Sequence, residues 1–197
     1  MKICKVEGCN NKHHAKGYCQ KHYTQLRRHG EILDRTKYDS NEIIIHDTYA
    51  EIIIYNQKCE EIAKALIDID DIEKCKQYKW FFSGHGYIVN SNYIKLHRFI
   101  TNCPKGKEVD HINHNKLDNR KSNLRICTHQ ENSCNKGLMK TNTSGVTGVS
   151  WDESRGKWIA HIKGENLGRF NTKDEAIKAR KEAEIKYFGE YRNQEGE

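Results

Sequence analysis

The sequence has little of what a thick hydrophobic core or a membrane protein requires. Only 36% of its 197 residues are hydrophobic, 31% are charged, and there is a single proline. No stretch approaches the roughly 18 apolar residues of a membrane span, and the opening MKICKVEGCNNKHH lacks the apolar run of a secretory signal. The composition favours small, solvated modules. We therefore expect a cytoplasmic protein that makes no membrane contact.

The eight cysteines are not expected to form disulfides, because an intracellular compartment keeps thiols reduced. Near the N-terminus a C-x4-C-x9-C-x2-H pattern is formed by Cys4, Cys9, Cys19 and His22. Residues 1–30 contain too few apolar side chains to fold around a core, and a metal ion commonly replaces the core in so short a segment. We predict a zinc-knuckle module over residues 1–30 with structural Zn²⁺. His13 or His14 is an alternative to His22 as the fourth ligand.

Positive charge is concentrated in two segments of the chain, whose formal net charge is +7. Residues 1–30 carry seven Lys and Arg against one acid, and residues 104–140 carry eight against four. Residues 31–103 are slightly acidic, with nine against twelve. Basic segments of this kind most often contact polyphosphate, and a solvated surface without a partner is the alternative. We expect a nucleic-acid partner and no small-molecule substrate.

The middle of the chain is predicted to be rich in β-strands. Its β-branched runs and glycines predict, in order, strands at Glu42–His46 and Ala50–Tyr55, a helix capped by Asp68, two strands joined through Gly84 and Gly86, and a helix carrying Leu96 to Ile100. The aromatic residues of this region are expected to lie mostly in the core. Together with the segment that follows, it is predicted to form one domain over residues 42–137.

The segment VDHINHNKLDNRKSNLRICTHQENSCNKG, residues 109–137, is crowded with His, Asn, Asp and Arg. It is predicted to form a strand ending at Asp110 and His111, a loop, and a second strand from Asn123. A helix then follows the N-cap Thr128 and stops at Gly137. A strand–loop–strand–helix unit brings the end of the first strand next to the helix, and so places Asp110 and His111 near Asn132.

These side chains have the chemistry of metal-assisted phosphodiester hydrolysis. Asp110 and Asn132 offer the hard oxygen ligands that suit Mg²⁺ or Mn²⁺. His111, when neutral, can take a proton from water near pH 7. The amide of Asn123 can accept a hydrogen bond from the other ring nitrogen of His111 and so fix its tautomer.

The pattern D-H-I-x-x-N, then S-N-L-R-x-C-T, then E-N-x-x-N resembles the HNH, or ββα-metal, motif of phage homing endonucleases. The resemblance implies a DNA endonuclease with its core at residues 104–137. It implies that Asp110 and Asn132 bind one divalent cation at the scissile phosphate, that His111 activates water, and that Asn123 orients His111. The nearby cations Arg98, Arg120, Lys121 and Arg125 are candidates to hold phosphates.

The C-terminal part is predicted to be a linker at 138–145 and then a three-stranded sheet with one helix over 146–192. Thr172 and Glu175 form a capping box at the start of the helix. A sheet covered by a helix on one face leaves its other face free, and such a face can enter the major groove. The residues predicted to lie on that DNA-binding face are Trp151, Arg155, Lys157, His161, Lys163 and Arg169.

This C-terminal segment resembles the Apetala-type DNA-binding domain of plant ethylene-response factors, which is appended to many phage HNH nucleases. The matching residues are Gly148–Val149, Gly156–Lys157–Trp158, Ala160, Ile162, Leu167–Gly168, Phe170, Glu175–Ala176 and Ala179–Arg180. Ser150 stands where that family has an arginine, and His161 where it has a glutamate. The resemblance implies DNA binding without the plant sequence preference; a packing or dimerising module is the alternative.

The sequence as a whole predicts an α+β, multi-module, site-directed DNA endonuclease of phage origin. With one active site per chain, it is expected to nick double-stranded DNA as a monomer, or to cut both strands where two chains assemble on the DNA. A homing role follows from the family resemblance alone. The alternatives are a non-catalytic DNA-binding regulator that keeps the nuclease fold as a scaffold, and a nuclease of relaxed specificity for packaging or host-DNA degradation.

Overall fold

The structure, a computed structural model, describes residues 2–138 and 141–193 of the chain. The predicted linker at 138–145 therefore lies partly outside the described residues. The helices are α1 (Gln20–His29), α2 (Ile72–Cys75), α3 (Leu96–Thr101), α4 (His129–Cys134) and α5 (Lys173–Phe188). The strands are β1 (Ile43–Ile45), β2 (Ala50–Tyr55), β3 (Glu61–Ile67), β4 (Trp80–Phe82), β5 (Ile88–Asn90), β6 (Glu108–His111), β7 (Leu124–Cys127), β8 (Val149–Asp152), β9 (Lys157–Ile162) and β10 (Glu165–Phe170). Within the described ranges, no helix has the length and apolar character needed to cross a bilayer.

The middle region is built on an antiparallel sheet in the order β1-β2-β3. The two predicted strands at its start are confirmed, and β3 is a strand that the sequence reasoning did not predict. Alternate residues Ile52 and Ile54 of β2, with Ala65 and Ile67 of β3, are fully buried. One face of this sheet therefore supplies the centre of the main core.

That core is continuous from the middle region into the nuclease segment. Trp80, Ile88, Leu96 and Ile100 connect the buried sheet face to a group that includes Val109 of β6 and Leu124 of β7. The indole of Trp80 donates to the carbonyl of Cys75 at 3.0 Å, which satisfies its only polar atom. Residues of the middle region and of the nuclease segment therefore share one core cluster.

The open edge of β3 is paired with the loop that follows the active-site strand. The amide of Leu66 donates to the carbonyl of Leu117 at 2.8 Å, and the amide of Asn119 donates back to the carbonyl of Leu66 at 2.9 Å. Leu66 and Asp118 accordingly form a parallel bridge. The pairing blocks an otherwise exposed sheet edge and fixes the loop in space.

The helix predicted after Asp68 is shorter than expected. A 3₁₀ turn over Ile69–Asp71 leads into the four-residue α2, which ends at Cys75. The carboxylate of Asp68 does not cap its own helix; it accepts from the amide of Lys121 at 2.7 Å. A tertiary contact with the nuclease segment has thus replaced the local cap.

The predicted strand–loop–strand–helix unit is confirmed as β6, β7 and α4. β6 and β7 pair antiparallel, with Asp110 opposite Arg125 and His111 opposite Leu124. Thr128 and Glu131 form a capping box at the start of α4. The helix ends at Cys134 with Asn135 as its C-cap, three residues before the stop predicted at Gly137.

The C-terminal region folds as predicted into a sheet in the order β10-β9-β8 with α5 across one face. Val149, Ala160 and Ala176 form its small buried core. Gly148 has a positive φ of 76°, and a Cβ at this position would collide with the carbonyl oxygen of His161. Only glycine therefore allows this close approach of the chain to β9.

Candidate active site

The register of the β6–β7 hairpin places a carboxylate and a guanidinium side by side. Residues directly opposite in an antiparallel pair project to the same face, and Asp110 lies opposite Arg125. The Nε and Nη2 atoms of Arg125 donate to Oδ2 of Asp110 at 2.8 and 2.6 Å. The buried carboxylate thereby has the positive partner that burial requires.

Helix α4 crosses the same face of the hairpin and brings amide side chains to it. The Nδ2 atom of Asn132 donates to Oε2 of Glu108 at 2.5 Å. One helical turn later, Nδ2 of the buried Asn135 lies 3.1 and 3.0 Å from the two carboxylate oxygens of Asp110. A helical turn of about 5.4 Å nearly matches two strand residues, so consecutive turns of α4 meet alternate residues of β6. Asn132 was predicted beside Asp110; the structure places Asn135 there.

His111 projects to the opposite face of β6, where it is almost wholly buried. Its ring packs edge-on against His97 of α3, with the ring centroids 4.9 Å apart, and lies 6.2 Å from the ring of Tyr87. Its Nε2 atom is 3.5 Å from Oδ1 of Asn119. The middle region therefore lines the pocket of His111 and is more than a spacer between modules.

Burial keeps both histidines neutral. Burial lowers the pKa of His111, although the contact with Asn119 and the charges of Asp110 and Asp118 oppose the shift. Burial, together with the nearby His111, lowers the pKa of His97 to about 3. A neutral His111 is the form that can accept a proton.

The loop between β6 and β7 is held by its own polar side chains. Oδ1 of Asn123 accepts from the amide of Asn113 at 3.0 Å, and Nδ2 of Asn123 donates to the carbonyl of Asp118 at 2.8 Å. Asn123 was predicted to form a hydrogen bond with the ring of His111. In the structure, both the oxygen and the nitrogen of its side-chain amide bond to the backbone of the loop instead. The amide oxygen facing His111 belongs to Asn119, whose Nδ2 donates to Leu117 at 3.0 Å.

The four cations predicted to hold phosphates all have protein partners. Arg98 donates to the carbonyls of Lys107 and Pro104, Arg120 forms a two-bonded pair with Asp118, Lys121 pairs with Asp71, and Arg125 pairs with Asp110. Arg125 also donates to the carbonyl of Glu190, beyond α5. These contacts connect the nuclease segment to the middle region and to the C-terminal region, so the cations have structural roles.

The same segment matches a family model described as HNH endonuclease, over residues 99–134. An uncharacterized HNH endonuclease, L560, of Acanthamoeba polyphaga mimivirus is 31% identical over 135 residues, which cover 64% of this chain and 72% of that protein. The chain belongs to the HNH endonuclease family.

Two further relatives are bacteriophage or prophage proteins. Protein 3.8 of Escherichia phage T7 is 42% identical over 62 residues, covering 32% of this chain and 51% of that protein. The SPbeta prophage-derived YosQ of Bacillus subtilis, named as an HNH homing endonuclease, is 35% identical over 109 residues, covering 47% of this chain and 58% of YosQ. The chain thus spans little more than half the length of these two relatives. No solved structure matches it significantly.

The residues of this HNH endonuclease fit a hard divalent cation at Asp110. The carboxylate of Asp110 and the amide of Asn135 are the adjacent oxygen-bearing groups, and Oδ1 of Asn135 now faces Nε2 of His114 at 3.1 Å. Rotation of that amide would exchange its oxygen and nitrogen and turn the oxygen towards Asp110. One carboxylate and one amide leave room for water ligands, which Mg²⁺ usually retains.

The N-terminal cluster of the nuclease has the donors of a closed metal site. The ligand atoms of Cys4, Cys9, Cys19 and His22 all lie within 4.8 Å of one another. Burial alone would raise the pKa of the Cys4 thiol, but hydrogen bonds from His22 and from backbone amides lower it to about 6. His13, one of the two alternatives, instead accepts a hydrogen bond from the amide of Gly17 at 3.0 Å. The cluster could therefore hold a metal ion with His22 as its imidazole donor.

The C-terminal sheet distributes the predicted DNA-binding residues over both of its faces. Trp151 lies opposite Trp158 in the β8–β9 register, and their rings are in edge contact at 5.4 Å. Since Trp158 packs against the core beneath α5, Trp151 is on the helix-covered face and not on the free one as predicted. The residues of the free face include Lys157, His161 and Arg169. Arg155 lies in the β8–β9 turn, and Lys163 lies over the ring of Phe188.

Sequence reasoning missed Asn119, Asn135 and His97 as neighbours of the site. Asn135 is the second asparagine of the E-N-x-x-N pattern, and helical periodicity alone allowed either asparagine to face Asp110. His97 lies outside the motif, and only the packing of α3 beside β6 brings its ring to His111. Asn119 carries no local signal, because its place depends on the pairing of its loop with β3.

The N-terminal cluster is expected to bind one zinc ion per chain. Replacement of His22 by alanine should lower the zinc content well below one, because it removes a ligand from a closed tetrahedral site. His13→Ala should keep the ion, since that ring faces a backbone amide. Zinc per chain in purified protein, measured by inductively coupled plasma mass spectrometry, compares the two variants directly. Retention by His22→Ala and loss in His13→Ala would contradict the assignment.

Proposed function

We propose that this HNH endonuclease is a site-directed, metal-dependent enzyme that nicks double-stranded DNA. The observation that carries the proposal is that one hairpin buries a carboxylate, Asp110, with the amide of Asn135 beside it, and a neutral histidine, His111, as the next residue of the same strand. A protein scaffold has no need to bury all three together, since each costs desolvation. The argument disfavours the non-catalytic regulator.

His111 acts as the general base in this mechanism. The amide of Asn119 is oriented by its bond to Leu117, so its oxygen faces Nε2 of His111. An oxygen acceptor at that position places the ring proton on Nε2 and leaves Nδ1 free to take a proton from water. The resulting hydroxide attacks the phosphorus and the bond to one bridging oxygen breaks; that oxygen takes a proton from water and leaves as a hydroxyl, so a nick remains in the strand.

Asp110 and Asn135 would hold the divalent cation, Mg²⁺ or Mn²⁺, which supplies electrostatic stabilisation of the charge that develops on the phosphate and the leaving oxygen. Arg125 orients the Asp110 carboxylate on the hairpin face through two hydrogen bonds to its Oδ2 atom. Asn123 and Asp118 maintain the loop that carries Asn119. His97 packs edge-on against the imidazole of His111. These residues position the base and the carboxylate without touching the phosphate.

The N-terminal and C-terminal modules, which flank the nuclease domain, are proposed to bind the DNA duplex. The N-terminal module, stabilised by Zn²⁺, and the C-terminal sheet, which resembles the Apetala-type domain, carry cations suited to phosphate contacts. The phage and prophage relatives support a phage-derived enzyme acting inside the host cell, with a homing role. A relaxed-specificity enzyme for packaging or host-DNA degradation would instead cut at scattered positions, and mapping the cut sites separates the two.

Substitution of His111 by alanine is expected to lower the nicking rate by about 10²- to 10⁴-fold, the usual contribution of a general base. The measurement is conversion of supercoiled to open-circular plasmid in Mg²⁺, Mn²⁺ or EDTA, with a plasmid library carrying fragments of the source genome. EDTA should abolish nicking. The exposed His129, which faces Glu108, provides the control, and His129→Ala should retain activity.

The same assay distinguishes Asn132 of α4 from Asn135 at its C-cap. Asn135→Ala should lose most of the metal-dependent activity, because it removes the amide next to Asp110. Asn132→Ala should lose less, since that side chain contacts Glu108. Equal activity of wild type and His111→Ala would contradict the assigned base. A severe loss confined to Asn132→Ala would return the ligand role to that residue.

The free face of the C-terminal sheet is expected to contribute to the salt dependence of DNA binding. The double variant Lys157→Gln with Arg169→Gln removes two cations of that face. The negative slope of log K against log salt should therefore become shallower by about 2. The matched control is Lys178→Gln with Lys181→Gln, which removes two exposed charges from α5. Binding of a labelled duplex, measured by anisotropy over a salt series, compares them. Equal slopes for both pairs would refute DNA contact through this face.

A further inference from the structure

A large cleft lies beside the pocket of His111, on the β4–β5 hairpin. Its volume is about 930 Å³, and Phe82, His85, Tyr87, Tyr93 and Lys95 are among its lining residues. That volume is within the usual range for sites that bind small molecules or parts of larger ones, roughly 300–1,000 Å³. None of the catalytic or metal-ligating residues assigned above lines it.

The cleft presents aromatic rings to solvent. Phe82 is 44% exposed and Tyr93 is 86% exposed, whereas Tyr78, Trp80 and Phe99 of the same region pack in the core. Tyr93 has a φ of 59°, in a region that bulky residues rarely adopt. The backbone of this turn is held by Asn90, whose Oδ1 accepts from the amides of Asn92 and Ile94 at 3.0 Å each. The turn therefore displays a large ring at the rim of the cleft.

Positive charge and an unused donor accompany the rings. The Nζ atoms of Lys95 and Lys116 lie 4.4 and 4.5 Å from the centre of the Tyr87 ring. Asn90 also lines the cleft and is 2% exposed, and its Nδ2 atom has no hydrogen-bond partner among the described residues. Buried polar groups are normally paired, so the Nδ2 donor of Asn90 is available to an acceptor atom that enters the cleft.

Tyr87 connects this cleft to the active site. Its ring centroid lies 5.2 Å from that of His97 and 6.2 Å from that of His111. A group bound in the cleft would thus lie next to the phosphate on which His111 acts. Aromatic platforms combined with lysines that follow a phosphate backbone are the means by which proteins bind unpaired nucleotides. A nucleobase offers both the flat apolar face for the rings and acceptor atoms for Asn90.

We propose that the cleft formed by Phe82, Tyr87 and Tyr93 binds an unstacked nucleobase of the DNA strand, adjacent to the phosphate at His111. The inference rests on the proposed function, which identifies a DNA strand as the substrate. The base stacks on the exposed rings, its phosphate lies near Lys95 and Lys116, and Nδ2 of Asn90 donates to its edge. Drawing one base out of the duplex would hold the neighbouring phosphate in a defined place.

The test is binding of fluorescein-labelled single-stranded dT15 to the full chain, followed by anisotropy in buffer without added divalent cations, so that no cleavage occurs. Tyr93→Ala and Phe82→Ala should each raise Kd about fivefold or more, as expected for loss of one stacking ring. Tyr93→Phe keeps the ring and should bind like wild type. The slope of log Kd against log salt should be unchanged in Tyr93→Ala, because both lysines remain.

The possible outcomes separate this inference from the proposed function. If the alanine variants lose dT15 binding and wild type nicks no plasmid in any metal, the cleft is a nucleobase site and the proposed nuclease mechanism is overturned. Nicking by wild type, with dT15 bound equally by wild type and both alanine variants, would overturn the cleft alone. Failure of wild type to bind dT15 would also overturn it. A change in sedimentation of Tyr93→Ala with an unchanged Kd would identify a protein–protein surface instead.

Discussion

The pairing between the edge of β3 and the loop after β6 is the contact on which the active site depends. Two backbone hydrogen bonds, at 2.8 and 2.9 Å, fix Leu117 and Asn119 against Leu66. Asn119 in turn faces the ring of His111. Asp118, which lies between Leu117 and Asn119 in the chain, pairs with Arg120. The buried strands β2 and β3 are therefore connected to His111 through Leu66 and Asn119. The acidic middle region is thus part of the nuclease, although its sequence carries none of the motif.

The buried polar network of the loop agrees with that arrangement. Asp118 is almost inaccessible to solvent, and its paired guanidinium, Arg120, holds the pKa of the carboxyl below its usual range. Asn123 fastens the same loop at two points. Polar groups buried so completely stabilise a single geometry only when all are paired, and an unpaired member would be costly. The loop is consequently well defined in spite of its lack of regular structure.

The sequence was sufficient for the elements with strong local signals. The β-branched runs, the Gly84 and Gly86 turn, the N-cap Thr128 and the capping box at Thr172 all correspond to elements of the structure. The HNH pattern identified the hairpin that carries Asp110 and His111. The strand β3, the short α2 and the choice of Asn135 over Asn132 depend on tertiary contacts. Trp151 was predicted to lie on the free face, because the sequence does not give the register in which β8 pairs with β9. Arg125 was expected to meet phosphate, but hairpin register pairs it with Asp110.

Native-state amide hydrogen exchange at Leu66 and Asn119 tests this account most directly. If the β3 edge holds the catalytic loop, both amides should exchange as slowly as the core amides of β2, by unfolding of the whole domain. Lys58, whose amide is bonded only to a side chain in an exposed turn, is the fast-exchanging reference. Exchange of Leu66 and Asn119 at the rate of Lys58, with β2 still protected, would show that the loop is not anchored and would contradict the account.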